Sequence, residues 1–118
     1  FAVYPLATKA TGAEGIEVPA REFGHDLDAM ASAIRADTRI VFMANPNNPT
    51  GTYISYQDLR RLHAALPSDV LLIVDAAYAE FVTANDYEPG IALVSEFENV
   101  VMTRTFSKIH GLAALRLG

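Results

Sequence analysis

Three runs of consecutive apolar residues constrain the fold of this chain more than any other feature of its sequence. They cover Ile40–Ala44, Val70–Val74 and Val100–Met102, and a polar residue follows each of them directly. A strand that is buried on both faces carries apolar residues at successive positions, whereas a half-exposed strand alternates between apolar and polar residues. Each run is therefore predicted to be a strand buried on both faces.

Helical patterns separate these runs. The spacing of apolar residues predicts a helix over Leu27–Ala36, with the preceding aspartate as its N-cap. A second helix is capped by Ser55, continues to Leu66 and stops at Pro67, and a short third helix runs through Ile91–Phe97. Strands that alternate with helices imply right-handed crossovers. We therefore expect an α/β fold, with a mainly parallel sheet and helices on both of its faces.

The two ends of the chain carry weaker patterns. Near the beginning we expect a helix over about Tyr4–Ala10 and a brief strand around Ile16–Val18, which Pro19 closes. At the other end, Leu115–Leu117 resembles the start of a further strand. Because the chain opens on Phe1, without an initiating methionine, we expect it to be a segment of a longer protein.

The composition argues against several classes of function. The chain has 118 residues, a formal net charge of -5 and no cysteine, and it carries no basic stripe. No apolar stretch approaches the roughly 20 residues that span a bilayer. The three histidines, His25, His63 and His110, lack the spacing of a metal site. We therefore expect a soluble, cytoplasmic protein without a metal, nucleic-acid or membrane partner.

The polar residues that follow the three apolar runs are expected to meet at one edge of the sheet. They belong to Asn45–Gly51, Asp75–Tyr78 and Thr103–Lys108. In parallel α/β sheets the carboxyl ends of the strands share an edge, and ligands bind there. This coincidence predicts a ligand site formed by the three segments.

Each polar group at this edge also has a structural interpretation. Asp75 is either a helix cap or a buried carboxylate that pairs with a cationic ligand. Tyr78 is either packed in the core or a hydroxyl donor, and Asn48 fits ordinary turn chemistry as well as ligand binding. Arg116 is either a surface arginine or part of a phosphate site together with two nearby hydroxyls. Those hydroxyls belong to Thr105 and Ser107.

Lys108 is one of two lysines in the chain. A lysine attacks a carbonyl only when it is neutral, and in water its pKa is about 10.4, so a nucleophilic lysine needs apolar or cationic surroundings. Phe106, Ile109, Leu112 and Arg116 are the neighbours that could supply them. The alternative is structural, because a lysine beside apolar residues commonly packs its stem against them and leaves the ammonium in water.

Three motifs together resemble a known family. They are NPNNPTG at Asn45–Gly51, DAAY at Asp75–Tyr78, and SK followed by GLAALR up to Arg116. The set is similar to the pyridoxal-phosphate-dependent aminotransferases of the aspartate-aminotransferase fold, and within them to those acting on histidinol phosphate. The resemblance implies that residues 1–118 are the central part of the large, cofactor-binding domain of a fold type I transferase. An N-terminal segment and a small domain would then lie outside the chain.

The resemblance also implies residue roles. Lys108 would form the Schiff base with pyridoxal 5'-phosphate, Asp75 would pair with its pyridine nitrogen, and Asn48 and Tyr78 would donate to its phenolic oxygen. Phe1 falls where the family stacks an aromatic ring, usually tyrosine, on the cofactor. The residues implied for its phosphate group are Thr105, Ser107 and Arg116. Lys108, Asp75 and Tyr78 would thus be the catalytic residues.

Two positions depart from the family motifs. Ala76 stands where DEAY has glutamate, and Ala114 stands where GLAGLR has its second glycine. The implied reaction is amino transfer between histidinol phosphate and 2-oxoglutarate, in histidine biosynthesis and by a homodimer. The same motifs would serve an aspartate or aromatic aminotransferase, or a threonine-phosphate decarboxylase. A noncatalytic doubly wound binding module is the alternative outside the family.

Overall fold

A computed structural model describes residues 1–118. Three strands form one parallel sheet in the order β1, β2, β3, namely β1 (Ile40–Ala44), β2 (Leu71–Asp75) and β3 (Val100–Thr103). The helices are α1 (Val3–Ala10), α2 (Leu27–Ser32), α3 (Tyr56–Ala65) and α4 (Ile91–Glu96), and short 3-10 turns cover Ala79–Phe81 and Ala113–Leu115. The predicted α/β fold with a parallel sheet is confirmed.

Both helix caps that the sequence indicates are present. The Asp26 carboxylate accepts from the amide of Ala29 at 3.0 Å, at the start of α2. At the start of α3, the Ser55 hydroxyl accepts from the amide of Asp58 at 3.1 Å. Each bond satisfies a backbone donor that the helix leaves unpaired, which typically contributes about 1 kcal/mol.

Two strands and one helix boundary predicted from the sequence are wrong. Ile16–Val18 forms no strand, because none of the three sheet strands pairs with it. Leu115–Leu117 does not start a strand either, since a 3-10 turn and a left-handed residue, Arg116, occupy this position. Helix α2 ends at Ser32 instead of Ala36, because the amides that follow it bond to carbonyls only three residues earlier in the chain.

The core lies on one face of the sheet. The side chains of Leu72 and Val74 are fully buried there, beside Leu59 of α3 and Leu93 of α4. Burying such a side chain stabilises the fold by roughly 1.5 to 3 kcal/mol. This face therefore supplies the hydrophobic stabilisation that aligns the three strands.

The opposite face is only partly covered within this chain. Its residues on β2 are half-buried, and Ile40 of β1 and Val101 of β3 are 46% and 41% exposed. Helix α1 contacts this face through Tyr4, whose ring stacks on Phe42 with centroids 5.2 Å apart. The expectation that the strands are buried on both faces is thus met on the core face alone.

Candidate active site

The three strands end level with one another at their carboxyl ends. Ala44 is paired with Asp75, and Asp75 is paired with Thr103. Since neighbouring strands lie about 4.8 Å apart, the three following segments begin within roughly 10 Å of each other. The sheet therefore brings the polar motifs to a common edge, as the sequence predicts.

Asn45 anchors the first of these segments. Its side chain is fully buried, donates to the carbonyl of Ile54 at 3.1 Å and accepts from the amide of Ile54 at 2.9 Å. Its backbone amide donates to the carbonyl of Asp75 at 3.0 Å, and its carbonyl accepts from the hydroxyl of Tyr87 at 2.8 Å. Burial raises the pKa of Tyr87 to about 12, so this phenol stays a donor at neutral pH. These bonds fix the base of the loop.

Asn47 and Asn48 have different roles in the turn that follows. Asn47 forms the bonds of the turn. Its side-chain amide donates to the Thr50 hydroxyl at 2.8 Å, and its backbone carbonyl accepts from the amide of Gly51 at 2.8 Å. The half-buried side chain of Asn48 makes no hydrogen bond within the chain. The turn role that the sequence suggested for Asn48 is therefore filled by Asn47. The carboxamide of Asn48 remains free for a ligand.

Asp75 faces the partly covered side of the sheet. Its Oδ2 accepts from the hydroxyl of Tyr4 at 2.7 Å, and its Oδ1 accepts from the amide of Ala77 at 3.2 Å. Burial raises the pKa of the Tyr4 phenol, and the bond to Asp75 raises it further. No α-helix starts at Asp75, so its carboxylate closes a local turn and does not act as a helix cap.

Lys108 and Tyr78 meet above the edge of the sheet. The Lys108 Nζ lies 5.2 Å from the centroid of the Tyr78 ring, within the range of a cation–π contact. Lys108 is exposed, and Phe106 and Ile109 beside it are also exposed, at 47% and 46%. Of the two interpretations of Lys108, the ammonium left in water is therefore the one seen in this chain, because the segment folds onto itself and not into the core.

The predicted phosphate residues are brought together by a backbone turn. The amide of Phe106, which stands between Thr105 and Ser107, donates to the carbonyl of Leu117 at 3.3 Å, next to Arg116. The Thr105 hydroxyl accepts from the amide of Ser107 at 3.0 Å. The Arg116 guanidinium donates to the carbonyl of Ala113 at 2.7 Å and makes no bond to either hydroxyl.

Phe1 lies at the start of α1, away from the strand ends in sequence. Its ring is 55% exposed and packs edge-on against Tyr4, with centroids 5.6 Å apart. Since Tyr4 in turn bonds Asp75, the three side chains form one connected group.

A cleft of about 500 Å³ separates the first loop from the segment after β2. Asn48 and Tyr78 both line it, from opposite sides. The remaining lining is neutral and contains the side chains of Tyr53, Phe81 and Thr83. Of the predicted site residues, the cleft thus joins the two that are implied to donate to the same oxygen.

Sequence reasoning missed three residues of this region. Tyr4 is 71 positions from Asp75 and Tyr87 is 42 positions from Asn45, so no local pattern links the members of either pair. Asn45 could have been identified as the first residue after a strand, where a buried side-chain amide is needed to bond backbone groups of the turn.

No group of three or more histidine, cysteine, aspartate or glutamate side chains is arranged to hold a metal ion. His25 contacts the carbonyl of Ala44 at 2.9 Å, and His63 contacts the Asn99 side chain at 3.0 Å. None of the helices is long and apolar enough to cross a membrane.

Curated proteins similar to this chain include two that carry the same name. Two curated relatives are called histidinol-phosphate aminotransferase: one from Rhodopseudomonas palustris, 57% identical, and one from Rhodospirillum centenum, 58% identical. Both matches cover all of this chain, which spans about a third of the relatives' length, 32% and 33%.

Solved structures also match this chain in fold. The histidinol-phosphate aminotransferase from Sinorhizobium meliloti, in complex with pyridoxal-5'-phosphate, superposes with a TM-score of 0.91 and 31% identity over 99% of this chain and 32% of that one. The L-threonine-O-3-phosphate decarboxylase from Porphyromonas gingivalis gives 0.80 and 27% identity over 100% of this chain and 34% of that one. The family profile of aminotransferase class I and II matches residues 1–118. The chain therefore belongs to the class I and II aminotransferase family.

Proposed function

We propose that this chain is the cofactor-binding portion of a pyridoxal-phosphate-dependent aminotransferase that exchanges the amino group of histidinol phosphate with 2-oxoglutarate. The observation that carries the proposal is the convergence of Asn48, Asp75, Tyr78 and Lys108 on one edge of a parallel sheet. These residues supply an amide, a carboxylate, a phenol and an amine. They also stand in the three motifs that resemble the family.

The chemistry of this donor set fits pyridoxal 5'-phosphate. Asp75 is an acceptor suited to a protonated pyridine nitrogen, while Asn48 and Tyr78 are donors suited to the phenolic oxygen. The Lys108 amine is suited to the aldehyde, and Arg116 with its neighbouring hydroxyls is suited to the phosphate. The free carboxamide of Asn48 supports this assignment, because the turn does not use it. Phe1 is the candidate for the stacking ring.

The protein residues have separate tasks in the proposed reaction. When bound, the cofactor provides an electron sink for the pair released at the substrate's α carbon. Asp75 holds the proton on the pyridine nitrogen, and its partly buried position strengthens that charge interaction. Lys108 would take the proton from the α carbon of the substrate as a general base and return it to the carbon attached to the cofactor ring as a general acid. The Tyr78 ring, whose centroid lies 5.2 Å from Lys108 Nζ, would orient the amine.

The choice of histidinol phosphate rests on the relatives. The curated relatives of that name are 57% and 58% identical over the entire chain. The decarboxylase structure is less similar, at 27% identity, although it shares the fold. Because cofactor motifs report the cofactor and not the substrate, the amino donor has to be tested directly.

The rest of the site is proposed to come from outside these 118 residues. The chain covers about a third of its curated relatives, and its site is open on the Lys108 side. We infer that residues 1–118 are part of the large domain, that a small domain and a second subunit of a cytoplasmic homodimer complete the site, and that the chain alone does not turn over. An open site leaves the small-molecule amino-acid and 2-oxo-acid substrates without a wall that orients them.

Borohydride reduction of the full-length protein with pyridoxal phosphate, followed by peptide mass mapping, tests the cofactor assignment. We expect the reduced adduct on Lys108, and an adduct mainly on Lys9 would contradict the assignment. Comparison of kcat/KM for histidinol phosphate, aspartate and threonine phosphate then tests the substrate. A preference for aspartate, or carbon dioxide release from threonine phosphate, would reject histidinol phosphate as the donor.

A further inference from the structure

Tyr4 is the only side chain that bonds the carboxylate of Asp75. Its hydroxyl donates to Asp75 Oδ2 at 2.7 Å, a short distance that is typical of a bond to a charged acceptor. The two residues are 71 positions apart, so helix α1 brings a side chain to the end of β2. None of the three sequence motifs contains Tyr4.

The ring of Tyr4 is held in place on two sides. One face is stacked on Phe42 of β1, with centroids 5.2 Å apart and planes only 10° from parallel. Phe1 packs edge-on against it, at 5.6 Å. Aromatic contacts of this kind restrict the ring, so the hydroxyl approaches Asp75 from a fixed direction.

The second oxygen of Asp75 is also held. Asp75 Oδ1 accepts from the amide of Ala77 at 3.2 Å, so each carboxylate oxygen has one donor. An ionised carboxylate has about four acceptor sites, which leaves room for a further donor on the same group. With one bond to each oxygen, the plane of the carboxylate is fixed before a ligand arrives.

We propose that Tyr4 is a positioning residue, which orients the Asp75 carboxylate towards a protonated ring nitrogen. This inference rests on the proposed function, because the ring nitrogen belongs to pyridoxal phosphate. A carboxylate whose two oxygens are already held can pair with a cationic ring nitrogen without first reorienting. Tyr4 acts on the reaction only through Asp75.

The variant Tyr4→Phe removes the hydroxyl oxygen and leaves the aromatic contacts with Phe1 and Phe42. We expect kcat to fall by about 10- to 100-fold, the size of one lost bond to a charged group, with a smaller change in KM. Tyr56→Phe is the matched control, because it removes a surface phenol that accepts from Arg60 at 2.9 Å and donates to Glu96 at 3.4 Å, away from the site. This control should retain wild-type kcat.

Two spectroscopic measurements separate positioning from a merely structural role. In the cofactor-free full-length protein labelled with ¹³Cζ-tyrosine, the Tyr4 resonance, assigned with Tyr4→Phe, should shift in Asp75→Asn. In protein loaded with ¹⁵N-pyridoxal phosphate, Tyr4→Phe should move the pyridine nitrogen resonance towards its unprotonated value. Tyr56→Phe should leave both resonances in place.

The outcomes distinguish failure of this inference from failure of the proposed function. If the Tyr4 resonance does not respond to Asp75→Asn, or if Tyr4→Phe keeps the wild-type nitrogen resonance and kcat, the inference is overturned while the cofactor assignment stands. If the wild-type protein binds no pyridoxal phosphate, the proposed function is rejected, and the role of Tyr4 towards a ring nitrogen is rejected with it.

Discussion

The two sides of the candidate site are built in different ways. On the side of β1 and β2, Asn45 is fully buried and every polar group of its side chain is bonded. On the side of β3, Thr103–Gly118 is largely exposed and makes mostly bonds within itself. The proposed ring contacts therefore extend from strands that the core holds in place, whereas the proposed lysine and phosphate contacts do not.

This difference teaches where the site is preorganised. Residues that are fixed by buried bonds open only when the domain unfolds, while exposed segments with few packed contacts open locally at low free energy. Asp75 and Asn48 extend from the first kind of structure, and Lys108 and Arg116 from the second. We expect that loss of a buried bond on the β1 and β2 side lowers stability, and that loss of an exposed side chain on the β3 side changes activity with little loss of stability.

The largest effect is expected for Lys108→Ala. Turnover should fall to background, at least about 10³-fold, because no other group can replace the amine as nucleophile and base. The free energy of unfolding should change by less than about 0.5 kcal/mol, since the side chain is exposed. Steady-state kinetics and urea unfolding of the full-length protein measure both, with Lys9→Ala as the control. Substantial residual turnover would assign the chemistry to another residue.

Asp75→Ala is expected to come next. Removal of an electrostatic stabiliser at a reacting centre typically costs about 10²- to 10³-fold in kcat. Some cofactor should stay bound, because Arg116 and the neighbouring hydroxyls still contact its phosphate under the proposed assignment. Kinetics combined with a cofactor titration followed by absorbance measures the two effects. Near-normal turnover would show that the carboxylate does not serve the ring nitrogen.

Asn45→Ala sharpens the comparison from the stability side. The amide and the carbonyl of Ile54 would both lose their buried partner, which should cost about 2 to 4 kcal/mol. The matched variant Asn48→Ala removes a carboxamide without a bond in the chain, so it should cost less than about 1 kcal/mol and act on kcat. Equal losses of stability in the urea unfolding of both variants would contradict the division of roles between these asparagines.

Hydrogen exchange compares the two sides directly. The amide of Asn45 donates to Asp75 O, and the amide of Ile54 donates to Asn45 Oδ1. The amide of Gly111, in contrast, closes a short turn in the exposed segment. We expect exchange at Gly111 to be at least about tenfold faster after correction for intrinsic rates. Protection of Gly111 as high as that of Asn45 would mean that the β3 side is as well ordered as the other.

The smallest effect is expected from His25, beside the first loop. Burial lowers its pKa below the ordinary value of about 6.5, so the folded state favours the neutral ring that contacts Ala44 O. The unfolded state then binds the proton more readily. This contribution to stability is full above pH 6.5 and is lost as the pH falls below it. Urea unfolding from pH 7.5 to 5 should show this loss, and His25→Gln should reduce the slope.

The sequence predicted the parts of this structure that local patterns determine. Asp75 was correctly placed at a strand end, because an apolar run that stops at a carboxylate has few alternatives. The bond from Tyr4 to Asp75 could not be predicted, since it depends on how α1 lies against the sheet. The sequence left the exposure of Lys108 open, because apolar neighbours in sequence need not pack around an amine.

Arg116 adopts a backbone conformation that glycine would adopt at lower energy. Its φ is 53°, in the left-handed region, which costs a residue with a side chain about 1 kcal/mol. A library sorted for thermal stability should therefore enrich Arg116→Gly, and the same library sorted for turnover should discard it under the proposed phosphate role. Engineering of this protein by stability score alone would thus remove a proposed cofactor contact without a warning from the folding assay.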